Sequence, residues 1–256
     1  MIQQISQLGK IDTLLAKLAV KRFNAILPVD IKVLESPEPQ KYKLQIGREE
    51  VVTKSSLPLD VGSRYWGMMK ESPQNSAITL SRLLQKPKLL QNRALTSFLP
   101  DFTPEKMVAL LAKESPKTEM KLQLMEHLSQ ANSKHEFMTL ANMIAALEAN
   151  VFTMFMKFED KTTLFQFKRR KSQSQTSSED GIIDFYAAFE HIGPVEGVVE
   201  VKAEIKRVTL YLYYEQSLEF LKTQLDELGF EGNILHKKAK ISPLYEPVSS
   251  LLDVKG

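Results

Sequence analysis

The chain contains no cysteine among its 256 residues. Disulfide bonds, thiolate metal sites and cysteine nucleophiles are therefore excluded. This absence is typical of proteins of the reducing cytoplasm, and we expect a cytoplasmic location. The sequence also lacks an apolar run of the roughly 18 residues that a membrane-spanning helix needs. Its first twenty residues have no charged flank followed by a continuous apolar core, so they predict no secretory signal.

Charge of one sign is not in excess either. Lysine and arginine number 34 and aspartate and glutamate 31, which leaves a formal net charge of +3. This surplus is too small for a protein that binds nucleic acid or membranes mainly through its charge. Hydrophobic residues make up 43% of the chain and charged residues 25%, as in globular proteins, which excludes a wholly disordered chain.

Catalytic and cofactor motifs are missing. The ten glycines form neither a dinucleotide-binding nor a phosphate-binding loop. No serine lies in a nucleophile elbow, and no histidine pair has metal-ligand spacing. Asp180, Asp184 and Glu190 could be brought together by folding, but their spacing does not distinguish an acid–base pair from surface charges. We therefore expect a protein that is not an enzyme and that holds no cofactor and no metal; an enzyme of unrecognised type is the alternative.

Residues 1–25 carry apolar side chains at helical spacing, with polar residues on the other face. This pattern predicts an amphipathic helix that packs on the rest of the chain. Binding of this helix to a partner or to a membrane surface is the alternative.

Residues 26–80 change to short β-rich runs separated by proline and glycine turns. Apolar residues alternate from Val29 to Val33 and again from Tyr42 to Ile46, which places one face of each strand inward. Five short strands in this space predict a small closed barrel of the OB or SH3-like kind.

Barrels of this kind bind oligonucleotides or peptides. Tyr42, Tyr65 and Trp66 could form a platform on which bases stack, and Lys168, Arg169 and Arg170 could contact phosphates. The sequence therefore leaves open a nucleic-acid-binding module that uses the barrel, and it also leaves open a scaffold of uncharacterised role. The alternative, which we favour, is that the tryptophan packs in the core and that the basic residues protect a solvated strand edge.

Residues 81–149 are predicted to be helical. Leu80, Leu83 and Leu84 form a first short stripe at helical spacing, and Thr103-Pro104 and Ser115-Pro116 have the form of helix starts. Short links between these segments predict a small antiparallel bundle.

Residues 150–241 return to strands. Alternating aromatic residues on both sides of Asp160-Lys161 predict a β-hairpin, and the polar run 171–181 predicts a loop. Three more strand runs, a leucine-rich helix that ends before Gly229 and a closing strand follow. We expect an antiparallel sheet with one face covered by one helix, and a loosely attached tail over residues 242–256. The whole chain is thus predicted to be an α+β protein.

The order of elements over residues 151–241 resembles the C-terminal domain of the flagellar hook-length control protein family. The turn Ile192-Gly193-Pro194-Val195 matches the family's Leu-Gly-Pro-Val-like turn. The helix end at Leu225, Leu228, Gly229 and Phe230 matches the leucine-rich helix that closes before the last strand. The Gln/Pro-rich ruler region of typical members has no counterpart in these residues.

The resemblance implies a non-enzymatic protein that contacts the cytoplasmic part of a flagellar export-gate component, in type III export. The partner-binding surface that it implies comprises Gly193, Pro194, Val195, Val199 and Val201. No small-molecule substrate is expected.

Overall fold

The computed structural model describes residues 27–55, 57–71, 78–91, 103–158, 161–170, 181–202, 205–227 and 232–247. The helix predicted over residues 1–25 lies outside these ranges. In the residues that are described, the chain is an α+β protein with two sheets. A group of helices separates the two sheets along the sequence.

The first sheet has five antiparallel strands in the order β3-β2-β1-β4-β5. Its strands are β1 (Val29–Glu38), β2 (Lys41–Ile46), β3 (Glu49–Lys54), β4 (Arg64–Glu71) and β5 (Ile78–Gln85). Within the described residues β3 and β5 do not pair with each other, so the predicted closed barrel is wrong. Alternation indicates which face of a strand is buried, but it does not indicate whether the two edges of a sheet meet.

One face of the first sheet is nevertheless closed. Ile31, Val33 and Leu44 are completely buried beneath the loop that carries Leu59. The hydroxyl of Tyr42 accepts the backbone N–H of Leu59 at 3.2 Å, which fixes that loop over the sheet. The loop therefore supplies the cover that a closed barrel would have supplied with a further strand pair.

Strand β5 corrects the prediction of a helix at Leu80, Leu83 and Leu84. The pairing of β4 with β5 shifts register between Trp66 and Met68, and Arg82 has a positive φ of 51°. This β-bulge inserts one residue and changes the alternation of the strand. Leu80 and Leu83 therefore share one face while Leu84 lies on the other, and the resulting spacing imitates a helix.

The helices begin later than the predicted residue 81. A 3-10 turn (Lys88–Leu90) follows β5, and the α-helices are α1 (Pro104–Leu111), α2 (Pro116–Ser129) and α3 (Lys134–Glu148). The side chain of Ser133 caps α3 by accepting the N–H of Glu136 at 3.1 Å. Glu148 joins α3 to α2 through Lys117 and Lys121, and the hydrogen bond from Lys121 lowers the pKa of the Glu148 carboxyl.

The second sheet has six strands in the order β11-β10-β9-β8-β7-β6. They are β6 (Phe152–Phe158), β7 (Lys161–Arg170), β8 (Gly181–Phe189), β9 (Gly193–Lys202), β10 (Ile205–Leu212) and β11 (Gly232–His236). Helix α4 (Glu215–Glu227) carries the chain back from β10, so β11 runs parallel to β10. The sheet is therefore mixed, whereas an antiparallel sheet was predicted.

Two buried aromatic side chains join the sheets. The indole N–H of Trp66 donates to the carbonyl of Phe189 at 2.8 Å. The hydroxyl of Tyr214, just before α4, donates to the carbonyl of Arg82 in the β5 bulge at 3.0 Å. Both side chains belong to one hydrophobic cluster that also contains residues of α1–α3. The two sheets and the helices therefore share a core.

Candidate functional site

The turn that the family resemblance singles out is buried. Gly193 begins β9 with a φ of +86°, and an added Cβ would lie 2.6 Å from the ring of Tyr214. Pro194 is buried and pairs with Ala188, and Val195 is 3% exposed in the cluster beneath α4. These three residues thus form a packed corner of the sheet, and a partner cannot reach them without moving α4 or Tyr214.

Val199, the next residue that the resemblance implies, lies on an accessible part of the sheet. Residues directly opposite one another on neighbouring strands share a face. Val199 lies opposite Ile183 on β8 and Val208 on β10, and Ile183 lies opposite Arg169 on β7. Ile183, Val199 and Val208 are half-buried, and Arg169 is exposed.

A second row lies beside the first on the same face. It crosses every strand of the sheet and is apolar throughout: Phe152, Phe167, Phe185, Gly197, Leu210 and Ile234. All its side chains are half-buried. We call Phe152, Phe167, Ile183, Phe185, Val199 and Val208 the apolar strip.

The aromatic part of the strip is ordered by its own contacts. The rings of Phe152 and Phe167 stack at 4.9 Å with an interplanar angle of 7°. The ring of Phe185 occupies the space above Gly197, which a Cβ would fill. A glycine at this position is therefore required for the ring of Phe185 to lie where it does.

Helix α4 covers only part of this face. Its Leu218 and Leu221 pack around Ala187, Val195 and Leu212, which are buried. The apolar strip lies farther along the strands, toward the ends formed by Arg170 and Gly181. Its Phe185 packs against the cluster beneath α4, and Phe152 and Phe167 pack against the shared core, so Ile183, Val199 and Val208 are the part of the strip that lies beyond these clusters. The alternation of apolar residues continues along β8, β9 and β10 beyond the rows that α4 buries, so this face has more apolar surface than the helix covers.

The opposite face of the same strands is charged at this end. Arg170 forms two hydrogen bonds with Asp184, at 2.7 and 2.5 Å, which raise the pKa of the Arg170 guanidinium above its ordinary value. Lys237 contacts Glu196 at 2.5 Å. The two faces of β8 and β9 therefore present different chemistry, apolar on one side and paired charges on the other.

Of the remaining predicted residues, Val201 pairs through its backbone with Gly181, at the end of β9. The rings predicted to stack on bases are buried: Trp66 is 1% exposed, Tyr65 6% and Tyr42 7%. Trp66 contacts Lys86 and Phe189, while the tyrosine hydroxyls accept backbone N–H groups of the Leu59–Asp60 loop. No base can stack on them in this conformation.

The basic residues predicted to contact phosphate do not lie beside those rings. Lys168, Arg169 and Arg170 are exposed at the end of β7. Alternation places Arg169 on the face of the apolar strip and the other two on the charged face, where both lie near Asp184. The structure thus separates the residues that a nucleic-acid site would have combined.

Sequence reasoning missed Phe152, Phe167 and Phe185 as surface residues, and Tyr214 as a contact between the sheets. Their alternation was visible, and it led to the correct expectation that they share a face in strands. The missing information is which rows α4 covers, since that depends on how the helix crosses the sheet.

Among the described residues, no three of the side chains that commonly bind metals lie together as a site, and no helix is long and apolar enough to cross a membrane. Comparisons of the chain with protein-family models, with curated proteins and with solved structures find no match.

Proposed function

We propose that the chain is a non-enzymatic protein-interaction module that docks on a component of a type III export apparatus in the cytoplasm, as the hook-length control family does. The apolar strip is the docking surface. The observation that carries this proposal is the row of Ile183, Val199 and Val208, half-buried apolar side chains that belong to none of the hydrophobic clusters of the described residues.

The chemistry of the strip favours a protein partner. Aromatic and branched aliphatic side chains supply contact area without hydrogen bonds, and such surfaces bind apolar segments of other proteins. The strip belongs to a six-stranded sheet whose opposite end is packed in the shared core, so it is held rigidly. A preformed surface loses little conformational entropy when a partner binds.

The occupant to which the proposal commits is an apolar segment of the cytoplasmic part of the export-gate component. This choice rests on the family resemblance of residues 151–241, and Val199 is the residue of the implied partner-binding surface that lies on the strip. Gly193, Pro194 and Val195 then support the sheet from inside, by packing beneath α4 and Tyr214.

The test compares substitutions of neighbouring residues on the two faces of the sheet. Val199 and Val198 are both half-buried in β9, but Val198 lies in the row of Asp184 and Thr209, on the charged face. We expect Val199→Asp in the full chain to weaken binding to the purified export component at least about tenfold, which is about 1.4 kcal/mol. Val198→Asp is expected to bind as the wild type does.

A second pair of substitutions, in β10, tests whether the effect of Val199→Asp comes only from a local disturbance of β9. Val208 lies on the strip and Thr209 on the charged face, next to each other in β10. Val208→Asp should weaken binding as Val199→Asp does, and Thr209→Asp should not. Circular dichroism and thermal melts show which variants are folded at the temperature of the titration. The proposal would be ruled out if substitutions on the strip and substitutions on the charged face gave equal affinities, or if the wild type did not bind the export component.

A further inference from the structure

The segment of residues 241–247, which the sequence predicts to be a loose tail, is bound across the second sheet. Ile241 is 2% exposed in the shared core, and Leu244 packs against the same cluster. Three further residues, Tyr245, Glu246 and Pro247, are held by polar contacts. We call Ile241–Pro247 the tail segment.

The amide of Gln166 holds the backbone of the tail segment. Its Nε2 donates to the carbonyl of Tyr245 at 2.8 Å, and its Oε1 accepts the N–H of Tyr245 at 3.1 Å. Gln166 is completely buried, and its Nε2 also lies 3.3 Å from the hydroxyl of Thr153. One side chain thus satisfies both backbone groups of Tyr245, whatever side chain that residue carries.

The 3-10 turn after β5 holds the next two residues. The backbone N–H of Lys88 donates to the carboxylate of Glu246 at 3.2 Å, and its ammonium donates to the carbonyl of Pro247 at 3.3 Å. The carboxylate of Glu246 thus accepts an exposed backbone N–H, and the carbonyl of Pro247 accepts the ammonium of the same lysine. The segment is therefore held through its backbone and through the side chain of Glu246.

Below the tail segment lies Tyr186, which is 1% exposed. Burial raises the pKa of its hydroxyl well above the ordinary value, and the charge of Glu246 acts in the same direction. Thr153, Gln166 and Tyr186 face one another across β6, β7 and β8. They lie on the face opposite the apolar strip, and we call the place between Gln166 and Lys88 that the tail segment occupies the groove.

The tail segment is attached in a way that permits its exchange. Its bonds to the sheet come from the side chain of Gln166, whereas the backbone groups of β7 are paired with β6 and β8. Releasing the segment therefore breaks no strand pairing. Pro243 and Pro247 each fix one backbone dihedral angle, so a peptide of this composition loses less entropy on binding.

We propose that this groove is a peptide-binding site that the chain's own tail segment occupies, and that a partner peptide of the same chemistry binds there in exchange. The peptide that fits has prolines in the places of Pro243 and Pro247 and bends at the two residues in the places of Leu244 and Tyr245. It has an aliphatic anchor in the place of Ile241 and an acidic residue in the place of Glu246. The tail segment then acts as an internal competitor that limits access to the groove.

The test uses the full chain and a labelled peptide with the sequence of residues 240–248, KISPLYEPV. Tyr245→Pro removes the N–H that Gln166 accepts, which weakens the tail segment and leaves the groove unchanged. We expect the peptide to bind this variant at least about tenfold more tightly than the wild type, measured by fluorescence anisotropy. Adding Gln166→Leu to Tyr245→Pro should abolish that gain.

A second peptide, with lysine in place of Glu246, tests the acidic contact and should bind the Tyr245→Pro chain several-fold more weakly. Equal binding of the first peptide to the wild type and to a folded Tyr245→Pro variant would overturn the proposal. If that variant does not fold, the proposal is tested instead by amide hydrogen exchange of the wild-type chain. Exchange of the Tyr245 amide faster than the core amide of Leu212 supports a detachable segment, and exchange only upon global unfolding refutes it.

Discussion

The two sheets alternate apolar and polar residues in the same manner and bury them differently. In the first sheet Ile31, Val33 and Leu44 have no exposed surface, because a loop closes over them. In the second sheet the rows beneath α4 are buried, while Val199 and its neighbours in the apolar strip are half-buried. The same sequence pattern thus yields a closed core in one sheet and an accessible apolar face in the other.

The difference lies in what covers each face. The Leu59 loop is tied to the first sheet by the hydroxyls of Tyr42 and Tyr65, which accept backbone N–H groups at 3.2 and 3.0 Å. Helix α4 crosses only part of the second sheet. A docking surface is therefore recognised by apolar rows that continue beyond their cover, rather than by the apolar pattern itself.

The largest expected effect is the difference in stability lost when Val33 and Val199 are each replaced by alanine. Val33→Ala removes two methyl groups from a completely buried site and leaves a cavity, which should lower the free energy of unfolding by about 2.5 kcal/mol. Val199→Ala, at a half-buried site, should cost about 1 kcal/mol or less. Urea unfolding followed by the fluorescence of Trp66 measures both.

The comparison requires that both variants unfold in one transition with the slope of the wild type. Equal losses at the two sites would show that the apolar strip is as well covered as the first sheet. That result would also remove the basis for docking at Val199.

A second effect comes from two buried tyrosines, Tyr186 in β8 and Tyr214 just before α4. Burial raises the pKa values of Tyr186 and Tyr214 well above the ordinary value near 10. Their unfolded forms lose a proton first, so the stability that they contribute is complete below pH 10 and falls as the pH rises further. Each of the two tyrosines should lower the free energy of unfolding by about 1.4 kcal/mol at pH 11 relative to pH 9.

Tyr214→Phe tests this expectation. The variant should lose the bond to Arg82, about 1 kcal/mol at pH 7, and should lose about 1.4 kcal/mol less than the wild type between pH 9 and pH 11. Parallel pH profiles for Tyr214→Phe and the wild type would show that the Tyr214 hydroxyl is not responsible.

Local features of the fold follow from the sequence, and contacts between distant segments do not. The alternating aromatics on both sides of Asp160-Lys161 predict the β6–β7 pairing, in which Phe152 lies opposite Phe167. The spacing of Leu80, Leu83 and Leu84 predicts a helix, because the bulge at Arg82 reverses the alternation of a strand. The bulge is held by Tyr214, a residue 132 positions away, so no local pattern could reveal it.

The candidate site shows the same division. The resemblance indicated β9, but it named Gly193, Pro194 and Val195, which pack inside, together with Val199, which is accessible. Trp66 was expected in the core of the first sheet, and it is buried in the cluster that both sheets share. In each case the residue type predicts burial, and the tertiary packing decides which partner buries it.

The smallest effect compares two glycines with the same backbone conformation. Gly62, in the loop of the first sheet, has a φ of +84°, and Gly193, at the start of β9, has a φ of +86°. Alanine is strained at both positions by about 1 kcal/mol. Around Gly62 the space is open, but at Gly193 the added Cβ would lie 2.6 Å from the ring of Tyr214, which is buried and bonded to Arg82.

Gly193→Ala should therefore lose roughly 1 kcal/mol more than Gly62→Ala in urea unfolding, and combining it with Tyr214→Ala should remove that excess. An excess that persists without the tyrosine ring would mean that Gly193 is required by its backbone alone, and that the corner of the second sheet depends on Tyr214 only for its hydrogen bond.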